Sequence, residues 1–136
     1  MMVRAYPGQI AKHGQALNKN TCETLTTSKP LTAGLFVAYA EHGAKEITTA
    51  EDVVMGVIVR SLLKDEYLSG EPVDVMNIGE GDGIWVHVGT SENVKRGEKV
   101  SPIKTGAESG KVGKALNDDV FTVVEANGDL ALITKQ

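Results

Sequence analysis

The chain has 136 residues, a formal net charge of −4, 41% hydrophobic residues and only 4% aromatic ones. That length makes one domain, or a small domain with an arm, able to bury roughly two-thirds of its unfolded surface. The composition excludes a disordered polymer, and the 14 basic residues, scattered without a block, give no clustered positive field for nucleic acid. The scarcity of rings argues further against single-stranded nucleic acid, which needs flat surfaces for base stacking. A single cysteine, Cys22, cannot form an internal disulfide. The longest apolar stretch, around Leu35 to Ala40, is of strand length, so neither a signal peptide nor a membrane span is expected.

Residues 1–32 are rich in Lys, Asn, Thr, Gln and Gly and hold no sustained hydrophobic period. They are expected to form an extended N-terminal arm that orders against a partner, with residues 33–136 as a β-barrel-like domain. Gly34 to Tyr39 is almost continuously apolar and predicts a strand buried on both faces. Thr48 to Leu68 is ambiguous. Thr48-x-x-Glu51 has the form of a helix capping box, but the valines and Gly56 of Val53–Arg60 are costly in a helix, so a strand is expected there. Ser61–Leu68 is expected as a short helix or loop.

From Glu71 onward the rhythm is turn and strand. Pro72–Ile78, Gly83–Val88, Lys99–Lys104 and Lys111–Leu116 read as strands, and Val120–Glu125 with Asp129–Thr134 as a hairpin. Asn127-Gly128 between the last two is a strong hairpin signal, because both residues tolerate positive φ. A Gly-Glu-x-Val phrase occurs twice, at Gly70–Val73 and Gly97–Val100, each time a turn entering a strand. About eight strands at such spacing predict a mainly β fold, a small barrel or compact sandwich.

Few residues suggest chemistry. Gly79-Glu80-Gly81-Asp82-Gly83 has the glycine content of a phosphate loop, but a strand follows it where a helix is needed, so a hairpin turn is the better reading. His13, His42 and His87 have no metal-ligand spacing, and Glu80 with Asp82 lacks the ligand count of a calcium loop. Cys22 has no histidine near it in sequence, and no Gly-x-Ser-x-Gly elbow exists. No enzyme activity, cofactor, metal or small-molecule substrate is expected. Trp85 alternates with Ile84 and Val86, so its strand is apolar on both faces and must be covered on both. Turned inward, the ring would bury about 200 Å², worth on the order of 5 kcal/mol. Turned outward, it would be an interface hot spot. The oligomer interface is expected at Trp85 and His87.

The order of these phrases resembles the structural cement, or head-decoration, proteins of tailed bacteriophages. The phrases are Ala5-Tyr6-Pro7-Gly8-Gln9-Ile10-Ala11, Gly56-Val57-Ile58-Val59, Tyr67-Leu68-Ser69-Gly70-Glu71-Pro72-Val73-Asp74-Val75, Gly83-Ile84-Trp85-Val86-His87-Val88 and Gly97-Glu98-Lys99-Val100. Lys12–Leu31 and His42–Thr49 depart from the pattern. The resemblance implies a structural virion protein, made in the bacterial host cytoplasm, that binds the outer surface of the phage head and staples neighbouring major capsid protein subunits. It implies a homotrimer, with a homodimer second, and no nucleic-acid or membrane partner. The capsid-binding residues are expected at Val3, Arg4, Ala5, Tyr6, Pro7, Gly8, Gln9 and Ile10. The alternatives are a lipoyl- or biotinyl-type carrier domain and a small carbohydrate-binding module. Gly110-Lys111-Val112 and Gly113-Lys114-Ala115 lack the context of a carrier lysine, and one Trp with three Tyr gives a sugar site few platforms.

Overall fold

The computed structural model describes residues 5–12, 20–61, 63–79, 81–90, 92–114, 117 and 119–135, and every regular element among them is a strand. In chain order these are β1 (Ile10–Lys12), β2 (Asn20–Thr26), β3 (Leu31–Thr32), β4 (Phe36–Tyr39), β5 (Ala44–Glu46), β6 (Val54–Ile58) and β7 (Glu66–Tyr67). They continue with β8 (Pro72–Met76), β9 (Gly83–His87), β10 (Lys99–Pro102), β11 (Val112–Lys114), β12 (Phe121–Asn127) and β13 (Leu130–Thr134). The fold is mainly β. Strands β2-β5-β4-β6-β8 close into a barrel, and β1-β9-β13-β12-β10-β11 form a six-stranded sheet. A parallel bridge from Val88 to Val112 curls the β11 end of that sheet back toward β9.

The barrel is filled by Leu25, Val37, Ala44, Met55, Ile58, Val73 and Val75. A second core lies between barrel and sheet. Phe36, Val57 and Met76 leave the barrel's outer side to meet Ile84, Val86, Phe121, Val123 and Ile133 of the sheet. The Phe36 and Phe121 rings join the two bodies with centroids 5.4 Å apart and planes tilted by 39°. Strand β4 thus feeds both cores, Val37 into the barrel and Phe36 and Ala38 into the seam, which is why its sequence is apolar without alternation.

Val53–Arg60 is a strand over Val54–Ile58, as its valines predict, and Gly56 has a steric reason to be there. A Cβ at that position would lie 2.2 Å from the Met76 carbonyl oxygen, so β6 and β8 approach too closely for any side chain. The Thr48-x-x-Glu51 pattern caps no helix. Instead Asp52 Oδ2 accepts the N–H groups of Thr48 and Thr49 at 2.8 and 3.0 Å, closing a turn. Lys45 reaches the same carboxylate at 2.7 Å. Burial raises the Asp52 pKa, but these donors outweigh it and hold the group well below the usual carboxylate range.

The stretch of residues 1–32, expected as an arm, supplies β1 to the sheet and β2 to the barrel. β2 pairs with β8 from Asn20↔Met76 to Thr24↔Pro72, and with β5 in parallel at Leu25 and Thr26. Its polarity hid it. Leu25 is its buried hydrophobic residue, while Thr21, Cys22, Thr24 and Thr26 are exposed on the barrel wall. The last hairpin forms as expected, but its two turn residues are Gly128 and Asp129, with Asn127↔Leu130 as the closing pair. Gly128, at φ +66°, takes the first turn position, the place where a type II′ turn wants glycine.

Candidate functional site: the joint between barrel and sheet

Tyr6-Pro7-Gly8-Gln9 is a tight turn. Pro7 fixes φ at its first central position and Gly8 supplies φ +73° at the second, the arrangement of a type II turn. Gln9 N–H donates to the Tyr6 carbonyl at 3.0 Å, and the Gln9 side-chain Oε1 accepts from Tyr6 N–H at 3.2 Å. The turn then clips both bodies of the molecule together. On the sheet side, Gly8 N–H donates to the Trp85 carbonyl at 2.7 Å and Trp85 N–H donates to Gln9 O at 3.0 Å. On the barrel side, Arg60 N–H donates to Gly8 O at 2.9 Å.

Ala33 and Gly34 complete the joint. Gly34 N–H donates to Ile58 O at 2.9 Å, and His87 N–H donates to Gly34 O at 3.1 Å, so this pair also bridges β6 and β9. The packing leaves no slack. A Cβ on Gly8 would stand 2.7 Å from both Ala33 Cβ and Ile58 O, and one on Gly34 would stand 2.8 Å from Pro7 Cβ. The His87 ring closes one side, its Nε2 lying 3.1 Å from the Ala33 carbonyl and 3.4 Å from Thr32 Oγ1. A carbonyl can only accept, so Nε2 carries a proton. Burial pulls the His87 pKa below the ordinary histidine range, and the Ala33 carbonyl opposes that pull only in part.

Two hollows flank the joint. One, of about 220 Å³, is lined by Pro7, Thr32, Ala33, Arg60, Lys64, Asp65 and His87. The other, of about 230 Å³, is lined by Gly8, Gln9, Ile10, Val59 and Arg60. Arg60 stands between them, with its guanidinium carbon 4.1 Å from the centre of the Tyr6 ring. Such a surface can bind a protein through its rings, guanidinium and backbone. Among the described residues no group of three or more His, Cys, Asp or Glu side chains is placed to hold a metal.

The family model of the XM1 gp53 minor capsid protein matches residues 1–135. The chain belongs to that family. A solved structure of the capsid of the Myoviridae phage XM1 is similar over 98% of this chain and 91% of its own, with TM-score 0.72 at 16% identity. At that identity the likeness speaks for the fold. No curated protein matches the chain. Membership of a phage minor capsid protein family agrees with the kinship that the order of the glycine, valine and tryptophan phrases implies.

Within this family member, the residues expected at the capsid contact are placed as follows. Val3 and Arg4 lie outside the described residues. Ala5, Tyr6, Pro7, Gln9 and Ile10 are half-buried and Gly8 is buried, because the phrase is docked on its own body through the hydrogen bonds above. The seam expected at Trp85 and His87 is not an open surface. Trp85 is 3% exposed in a single chain, so its own fold covers it, and His87 is half-buried against Ala33. Trp85 pairs with Leu132 of β13 on one side, while Gln9 and Gly8 take its backbone on the other. Cys22 and His42 are exposed, and His13 and Glu80 lie outside the described residues.

A recurring device went unread in the sequence. The Tyr6–Gln9 turn is built again at Leu68–Glu71, Gly79–Asp82 and Lys95–Glu98. In each, the fourth residue's N–H donates to the first residue's carbonyl at 3.0–3.1 Å, across a glycine with φ between +73° and +90°. In each, the fourth side chain accepts from the first residue's N–H, at 3.2, 2.7, 2.9 and 2.5 Å in chain order. Lysines then lock two of these acids, Lys64 on Glu71 and Lys114 on Glu98, each at 2.6 Å. Those lysines, followed by the turn N–H groups, hold both carboxyls below their ordinary range. The readable signal was glycine followed by Gln, Glu or Asp. The doubled Gly-Glu-x-Val phrase is half of it.

Proposed function

We propose that this chain is a capsid cement protein, one that binds the outer surface of the phage head and staples neighbouring major capsid protein subunits. The match of the minor capsid family over residues 1–135 is the observation that carries this reading. The architecture suits it. A barrel and a sheet sharing one core make a rigid knob, and a rigid knob docks with little ordering cost. Its role is structural and not catalytic. Cement proteins gain avidity by self-association, which turns weak single contacts into tight binding by raising effective concentration. A homotrimer is the favoured state and a homodimer the second. The contact face is the Val3–Ile10 phrase.

Quantitative mass spectrometry of density-banded virions tests this, combined with surface labelling of intact particles. A copy number near that of the major shell protein, with labelled lysines on this chain, is expected. Absence from the particle, or full protection from label, would remove the cement role.

A further inference from the structure

Arg60 differs from the five lysines of the described residues that pair with an acid. Lys45, Lys64, Lys104, Lys111 and Lys114 each hold a carboxylate, at distances from 2.6 to 3.5 Å. Arg60 is exposed and makes no ion pair among the described residues, although Asp65 lines the same hollow. Its guanidinium is also held in place. It stacks at 4.1 Å on the Tyr6 ring, Tyr6 is fixed by the Pro7-Gly8 turn, and Arg60 N–H is fixed to Gly8 O. An exposed arginine normally loses rotamer entropy when it binds, and stacking removes part of that loss beforehand.

The surroundings fit a protein partner. Hollows lie on both sides of Arg60, and the turn that carries Lys64 into one of them carries Leu63 outward with 92% of its surface exposed. A stacked Arg-Tyr pair beside an exposed Leu has the make-up of an interface anchor with an apolar flank. Lys64 is paired with Glu71, and His87 donates its Nε2 proton to Ala33, so Arg60 is the cation lining these hollows that holds no carboxylate among the described residues.

We propose that Arg60 receives an Asp or Glu carboxylate of a neighbouring shell subunit in a two-pronged hydrogen-bonded pair, with Tyr6 as the fixed platform beneath it. The proposal rests on the cement reading and names the chemistry of its partner. Arginine presents two parallel N–H groups that match a carboxylate, which a lysine cannot do.

The test is co-sedimentation of purified chain with capsids assembled without it, using wild type, Arg60→Lys and Arg60→Glu. Melting temperatures should fall by no more than a few degrees, the loss of one exposed stacking contact, so all three are folded at the binding temperature. Arg60→Glu should bind about 30-fold more weakly, and Arg60→Lys should fall between it and wild type. An acid-to-lysine substitution in the shell protein should restore binding of Arg60→Glu. Wild-type affinity in Arg60→Glu would overturn the proposal while leaving the cement reading standing. A change in the free chain's sedimentation with capsid affinity intact would also overturn it, placing Arg60 at a self-contact. Failure of the wild type itself to bind would remove the cement reading first.

Discussion

The joint and the tip of the β12–β13 hairpin both depend on a left-handed glycine, and for different reasons. At the tip, a Cβ on Gly128 would meet nothing within 4 Å, so only its φ of +66° asks for glycine. At the joint, Gly8 has φ +73° and a Cβ there would also collide with Ala33 and with the backbone of Ile58 and Arg60. The tip is exposed from Val124 to Asp129, whereas the joint is wedged between two bodies. A turn that merely reverses a chain tolerates change. A turn that clips two sheets together does not.

The sharpest way to break this contrast is at Trp85, whose backbone the joint grips and whose ring is buried. Trp85→Ala should cost about 3–5 kcal/mol, the range for deleting a large buried aromatic. Urea unfolding measures it, and an oligomeric state unchanged in sedimentation is expected alongside, because the ring faces its own chain. Gly8→Ala comes next, at about 3 kcal/mol. Of this about 1–2 is the left-handed backbone and the remainder is overpacking against Ala33. Gly128→Ala carries only the backbone part, about 1 kcal/mol, read as a small shift of the same midpoint. Equal losses at Gly8 and Gly128 would show that the joint is no tighter than the tip.

The smallest effect is pH-dependent. The folded His87 pKa lies below its unfolded value of about 6.5, so the unfolded chain binds more protons between the two. His87 therefore contributes stability that is fully present above about pH 6.5 and lost as pH falls toward its folded pKa. The groups facing it are Arg60, Lys64 and Asp65 across the hollow, with Lys111 and Asp129 beyond. His87→Gln should flatten the fall in stability below about pH 6.5, as followed by unfolding midpoints in a pH series. An unaltered slope would show that the ring titrates alike in both states.

The sequence was most legible where apolar pattern and glycine agree. Ile84, Val86 and Val88 alternate into the seam core, and β9 sits over Gly83–His87 where that alternation predicts it. Strand β2 was illegible because Thr21, Cys22, Thr24 and Thr26 are exposed on a barrel wall whose buried hydrophobic residue is Leu25. No hydrophobic period marks such a strand. Trp85 was half legible. Both faces of its strand had to be covered, and Trp85 is already buried within a single chain. Arg60 had no signal at all, since its role depends on Tyr6, 54 residues earlier, arriving beneath it.

A cryo-electron-microscopy reconstruction of the virion tests the cement role most directly. It should show the barrel-and-sheet knob on the outer shell, near local three-folds, with Tyr6 and Arg60 turned toward the capsid and a carboxylate against Arg60. A shell without this knob, or a knob seated by the β12–β13 tip with the joint facing solvent, would contradict it.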